Sequence, residues 1–224
     1  MSYNTFTPIV TNGLVLYLDA GNLKSYPGTG TSWLDLSKNN NTSTLTSTTF
    51  VSPYSGGINF NGTSSLANSN FINPFAETII VWAKSNTSTW NDFGWISSSR
   101  RQNGHLIHPN SSLTTVSFYV ADSSANFLGY SIISVSDITI PHFYCYTTNG
   151  TNSHKAYLDG SLSTSDTTVI SRTSSPSSQN WNLGKDDTTG RYGNGVIYSV
   201  IRYNRQLSDS EVLQNYNATK YRFQ

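Results

Sequence analysis

Short apolar runs separated by polar turns recur along the whole chain. Residues 14–18, Leu-Val-Leu-Tyr-Leu, form a continuous apolar run bounded by Asn12-Gly13 and Asp19-Ala20-Gly21, the pattern of a buried strand. Residues 78–83 are β-branched and aromatic, and further short strands are predicted at 58–60, 93–96, 116–120 and 130–133. Residues 142–148 run into Asn149-Gly150, and residues 155–158 run into Asp159-Gly160. Two strands each closed by an Asx-Gly pair predict hairpins or a meander. Residues 181–184 and 196–201 complete the set. Turn signals spaced about 8–12 residues apart predict an all-β sandwich or barrel.

One helix breaks the pattern. Ser208-Asp209-Ser210-Glu211 is a capping box, with Leu207 and Val212 at the staple positions, and it predicts a helix over 209–217. Two stretches rich in Ser, Thr and Asn, 37–49 and 171–180, read as loops. Residues 1–12 form an edge strand or docked tail, or else an arm that reaches a neighbouring subunit through Phe6, Pro8 and Ile9. Residues 13–224 form the body.

Composition narrows the function. Only 11% of residues are charged, against about 25% in an ordinary domain, and the net charge is +1. Such a surface offers no electrostatic footprint for nucleic acid. No apolar run approaches the length of a membrane span. No secretion signal is visible at Met1-Ser2-Tyr3-Asn4-Thr5. The single cysteine, Cys145, lies between Tyr144 and Tyr146 and reads as a buried strand thiol.

The segments resemble the concanavalin A-like, laminin-G-type jelly-roll modules found in bacterial surface proteins and bacteriophage virion proteins. The resemblance is carried by five motifs in order: residues 13–22 (GLVLYLDAGN), residues 33–37 (WLDLS) with Asn39-Asn40-Asn41, residues 58–62 (INFNG), residues 156–160 (AYLDG), and a C-terminal run. That run holds Leu183-Gly184, residues 195–201, and residues 203–208 with Glu211. The match covers residues 13–220. It implies a concanavalin A-like jelly-roll sandwich of two antiparallel sheets with one short C-terminal helix. Tyr198 stands where the family often carries an acidic residue, so that residue's role does not carry over.

Enzymatic chemistry finds little footing. Glycoside hydrolysis needs two carboxylates flanking the scissile bond. The glucanase relatives of the fold use two Glu on one strand, whereas Glu77 and Glu211 here lie far apart. There is no Gly-x-Ser-x-Gly elbow. His142 and Cys145, three apart on one strand, face opposite sides. His105-x-x-His108 reads as a loop with exposed histidines, short of the ligands that zinc requires. The sequence therefore predicts no enzyme. A glycosidase built on an Asp pair is the third reading.

Two binding sites remain as candidates. Asp186 and Asp187, between Gly184 and Gly190, form either a solvated turn or a calcium site of the kind the resemblance implies. Trp90 and Asp92, together with Arg191, Tyr192 and Asn194, have the residue types of a glycan site: an aromatic face with a few polar groups. Trp90 is either an exposed platform or packed under a loop, while Trp33, Trp82, Trp95 and Trp181 belong to the core. Asp19 and Asp35 read as turn-forming residues.

The resemblance and the sparsely charged surface imply a structural or adhesive protein on a bacteriophage virion, assembled in the host cytoplasm. Its partners would be capsid or tail proteins, with self-association and a polysaccharide ligand as further expectations. Head decoration and a tail-fibre or tail-tip module both fit. A free carbohydrate-binding lectin is the alternative.

Overall fold

The computed structural model describes residues 7–69, 74–91, 96–99, 104–110, 113–122, 127–170, 181–186 and 190–224. In chain order the strands are β1 (Leu14–Asp19), β2 (Ser32–Trp33), β3 (Ser43–Thr46), β4 (Thr49–Val51), β5 (Gly57–Asn61), β6 (Leu66–Ser69), β7 (Glu77–Ser85) and β8 (Ser97–Ser99). They continue with β9 (His105–Pro109), β10 (Thr115–Ala121), β11 (Phe127–Ser134), β12 (His142–Thr148), β13 (His154–Leu158), β14 (Ser161–Asp166), β15 (Trp181–Leu183) and β16 (Asn194–Tyr203). A helix, α1 (Asp209–Thr219), follows.

Two eight-stranded antiparallel sheets result. One runs β14-β13-β12-β7-β16-β5-β4, with β1 also paired to β16; the other runs β11-β10-β9-β8-β15-β6-β3-β2. The all-β sandwich with one short C-terminal helix is the architecture that the apolar pattern predicts.

Strand alternation gives the first sheet two buried faces. On β7, Ile79, Val81 and Ala83 point between the sheets, while Ile80 and Trp82 point outward. The inner face meets Ile107, Phe118, Trp181 and Leu183 of the second sheet. Phe118 and Tyr146 stack across the gap at 5.3 Å. The outer face is covered by α1 and the chain termini, through Val10, Leu207 and Val212. Cys145 is fully buried on that face. A strand buried on both faces reads as a near-continuous apolar run.

The helix forms where the capping box places it. The Ser208 hydroxyl accepts from the Glu211 amide, and the Glu211 carboxylate accepts from the Ser208 amide. Glu211 also receives two hydrogen bonds from the Arg205 guanidinium, at 3.0 and 2.5 Å. The Arg205 bond is the main reason that the Glu211 carboxyl sits at about 2, well below the usual carboxylate range.

The Asp159-Gly160 turn joins β13 to β14. Both residues have positive φ, +49° and +79°, as a type I′ hairpin turn requires. Asp159 also accepts the Phe143 amide at 2.9 Å and faces His142 Nδ1 at 2.7 Å. The other ring nitrogen of His142 faces the Asp137 carbonyl at 2.9 Å. Both neighbours are acceptors, so the arrangement favours the doubly protonated ring. Burial opposes that charge, but the Asp159 and Asp137 contacts outweigh it, and the His142 pKa is raised. The pair's contribution to stability is complete below the unfolded value near 6.5 and is lost as pH climbs through the raised folded value. The melting-temperature gap between wild type and His142→Ala should therefore narrow with rising pH. A gap that stays constant from pH 5 to pH 9 would refute the assignment.

Two expectations are corrected. The stretch 37–49 is not one loop, since it holds β3 and the first residue of β4. Ser43 and Leu45 turn inward while Thr44 and Thr46 face out, so hydroxyl side chains carry the alternation. His105-x-x-His108 is not an exposed loop but lies in β9, with His105 fully buried. His105 is drawn inward by Glu77 of the opposite sheet, whose Oε1 lies 2.8 Å from His105 Nδ1. The second expected loop, 171–180, lies outside the described residues, as do residues 93–95 of the strand expected at 93–96.

Candidate functional site

Asn194 opens β16 opposite Asn61 of β5, at the rim where the connection from β15 enters the first sheet. Asn86, just past β7, donates through Nδ2 to Asn59 Oδ1 and to Asn194 Oδ1, each at 2.9 Å. Asn91 closes the group from the other side. Its Nδ2 donates to the Tyr192 carbonyl at 2.6 Å, and its Oδ1 accepts from the Asn194 amide at 3.1 Å. Asn86 thus links the Asn59 and Asn194 carboxamides, and the Asn91 carboxamide holds the main chain of Tyr192 and Asn194, along a half-exposed edge. A carboxamide has two donors and an acceptor with two lone pairs. Asn194 Nδ2 and Asn86 Oδ1 make no hydrogen bond to any described residue.

Beside this ladder is a small apolar socket of about 20 Å³, walled by Phe60, Trp90, Ile96, Val196 and Ile197 with Asn194 at its edge. Two glycines shape it. Gly184 has φ +73°, and a Cβ there would come within 2.1 Å of the Phe60 ring. A Cβ at Gly195 would come within 2.4 Å of the Lys84 carbonyl oxygen. The chain can pass this close only without side chains.

The structure brings Trp90, Tyr192 and Asn194 to one place. Trp90, however, is not an exposed platform. It is 4% exposed and belongs to the main core, with its amide bonded to the Leu113 carbonyl at 3.0 Å. The polar neighbours take the water side, and the indole turns inward to line the socket. Arg191 and Tyr192 are half-exposed just before β16, where Tyr192 bridges to Lys185 and lies under its ammonium at 5.3 Å. Asp92 lies outside the described residues.

Of the two residues considered for calcium, Asp186 is fully buried, with its amide donating to the Arg191 carbonyl at 3.0 Å. Asp187 lies outside the described residues. Among the described residues no three His, Cys, Asp or Glu side chains gather where they could hold a metal ion. Asp19 and Asp35 act as turn formers: Asp19 Oδ1 accepts the Gly21 amide, and Asp35 Oδ1 accepts the Ser37 amide.

At the N-terminus, Pro8 and Ile9 are docked on the chain's own body. Gln214 donates to the Pro8 carbonyl at 2.8 Å, Ile9 packs on the outer-face core, and the Val10 amide donates to Asn215. Phe6 lies outside the described residues.

Asn59 and Asn86 escaped the sequence reading. Their only mark was the abundance of Asn at strand ends, which does not say which amides converge.

No protein-family model matches the sequence, and no curated protein matches it. Solved structures do match the fold. The binding domain of Paraclostridial Mosquitocidal Protein 1 superposes with a TM-score of 0.73 at 16% identity, over 93% of this chain and 52% of that one. The binding domain of botulinum neurotoxin serotype D gives 0.72 at 16% identity, over 92% and 52%. The serotype D ligand binding domain in complex with N-acetylneuraminic acid gives 0.67 at 14% identity, over 92% and 51%. The chain spans about half the length of these neighbours, and the likeness is one of fold.

Proposed function

We propose that the chain is a non-catalytic binding module that contacts glycan through the carboxamide rim. One observation carries this reading: Asn86 links the Asn59 and Asn194 carboxamides and Asn91 holds the main chain of Tyr192 and Asn194 beside an apolar socket, with a donor at Asn194 and an acceptor at Asn86 left over. Sugar hydroxyls are donors and acceptors at once, and they match carboxamides in both roles. Preorganisation by mutual hydrogen bonds lowers the ordering cost of binding. The apolar socket suits a methyl or C–H face of the ligand.

Supporting the non-catalytic part, both glutamates already have structural work. Glu77 is fully buried against Arg202 and His105, and Glu211 caps α1. The binding domains among the structural neighbours are consistent with the reading, and N-acetylneuraminic acid is a natural first probe. The finer family assignment, a concanavalin A-like, laminin-G-type jelly roll, belongs to this proposal too. It rests on the five sequence motifs together with the two-sheet architecture. The virion setting is carried within this proposal by the family resemblance and the sparsely charged surface, which would make attachment nearly insensitive to salt.

Screening on a glycan array followed by calorimetry should find a ligand whose affinity falls about tenfold or more in Asn194→Ala, roughly 1.4 kcal/mol, with little change in melting temperature. No affinity of the wild type for any arrayed glycan, or an affinity indifferent to Asn194→Ala, would refute the rim as the site.

A further inference from the structure

Where the C-terminal segment crosses the outer face of the first sheet, it leaves a cleft of about 200 Å³. Its floor is Tyr17 and Asp19 of β1 and Ser199 of β16, and Asp19 and Ser199 are direct partners in the strand ladder. Its wall includes Thr219, Tyr221 and Arg222.

The polar groups here are held in place but not used up. Asp19 and Arg222 form an ion pair, 17% and 15% exposed, so their charges cancel within the cleft. Arg222 also donates to the carbonyls of Tyr54 and Gly56. Three of the five guanidinium N–H groups are thereby engaged, and two remain. Asp19 Oδ1 takes the Gly21 amide and Arg222, whereas Oδ2 receives only the Tyr17 hydroxyl at a long 3.3 Å. Burial and the neighbouring carboxylate raise the Tyr17 pKa, which keeps the phenol a donor. Ser199 is 4% exposed and lines the cleft, yet its hydroxyl makes no hydrogen bond to any described residue. Tyr221, 60% exposed, presents an aromatic side at the mouth.

We propose that this cleft is a second binding site, separate from the rim, for a neutral pyranose ring. A charged ligand gains little from a balanced ion pair, and an apolar one would leave the Ser199 hydroxyl unpaired at a cost. Adjacent ring hydroxyls can accept from Arg222 and donate to Asp19, with a third hydroxyl meeting Ser199. The C–H face of the ring covers Tyr221.

The test is an NMR chemical-shift titration of the intact chain with methyl glycosides of glucose, galactose, mannose and N-acetylglucosamine, and with N-acetylneuraminic acid as a charged control. At least one neutral sugar should shift the amides of Tyr17, Ser199 and Tyr221. Ser199→Val, which suits a strand and removes the hydroxyl, should weaken that response tenfold or more, and Asn194→Ala should leave it unchanged. If Ser199→Val does not fold, Tyr221→Ala at an exposed position makes the same reading. Absence of shifts at these three residues with every neutral sugar, or shifts that survive both variants, overturns the proposal. Shifts confined to Asn86 and Asn194 would overturn the cleft and leave the rim standing. Shifts confined to the cleft would do the reverse.

Discussion

A Glu77→Leu variant should lose about 3–5 kcal/mol of stability, the usual consequence of stranding one member of a buried ion pair. Glu77 and Arg202 are both fully buried, and Glu77 Oε2 lies 2.6 Å from Arg202 Nη2. They sit on neighbouring strands, β7 and β16, and face inward between the sheets. His105 reaches Glu77 Oε1 from the opposite sheet, so one carboxylate joins the two layers. The Arg202 guanidinium also lies over the Trp181 ring at 4.8 Å. Burial pushes the Arg202 pKa down, and Glu77 pulls it back toward the charged form. Without Glu77, the attraction that favours the charged guanidinium is gone while the desolvation remains. A loss of this size is a large fraction of the ~5–15 kcal/mol that holds a typical domain folded.

The double variant Glu77→Leu/Arg202→Met should recover part of the loss, because the stranded charge is removed with its partner. Recovery should be incomplete, since His105 still loses its carboxylate. Urea denaturation followed by tryptophan fluorescence measures both. A Glu77→Leu loss below about 1 kcal/mol, or a double variant worse than the sum of the singles, would show that the buried charges are not coupled as described.

This triad also shows what the sequence could and could not reveal. Residues 14–18 and 78–83 announce their strands because apolar side chains fill both faces. Asp159-Gly160 announces its hairpin because positive φ at both positions selects those residue types. β3 and β14 are built largely from Ser and Thr, so their alternation has no apolar contrast to betray it. Glu77 and His105 look like ordinary surface residues in a polar chain, because each acquires its partner only when the sheets stack.

The same holds for the two candidate sites. Asn194 and Tyr192 could be singled out from their local mixture of aromatic and polar types. The polar neighbours Asn91 and Asp92 leave Trp90 readable either as an exposed platform or as packed under a loop; the fold buries the indole, while the Asn91 amide meets the Tyr192 carbonyl. The cleft joins β1 to residues near the C-terminus, and no local pattern marks such a meeting.

Trp82→Ala should be the other severe substitution, costing about 3–5 kcal/mol as buried aromatic truncations do. Trp82 faces outward from the first sheet and is the anchor for the C-terminal segment. Its ring stacks on Phe223 at 4.0 Å and on Tyr216 at 6.0 Å, and it meets Phe143 edge-on at 5.6 Å. Its indole Nε1–H donates to Thr219 Oγ1 at 2.8 Å. Trp82→Phe keeps most of the stacking and loses the donor, so it should be far milder. Hydrogen exchange separates local from global loss. In Trp82→Ala, amides across residues 209–222 should lose protection first, with the inner strands following only near the global transition. Full protection of α1 in that variant would deny Trp82 the anchoring role. The consequence reaches the second site, because Thr219, Tyr221 and Arg222 form the cleft's wall. A chain that releases this segment should lose any sugar response at Ser199 while the rim around Asn194, built from β5, β7 and β16, keeps its own.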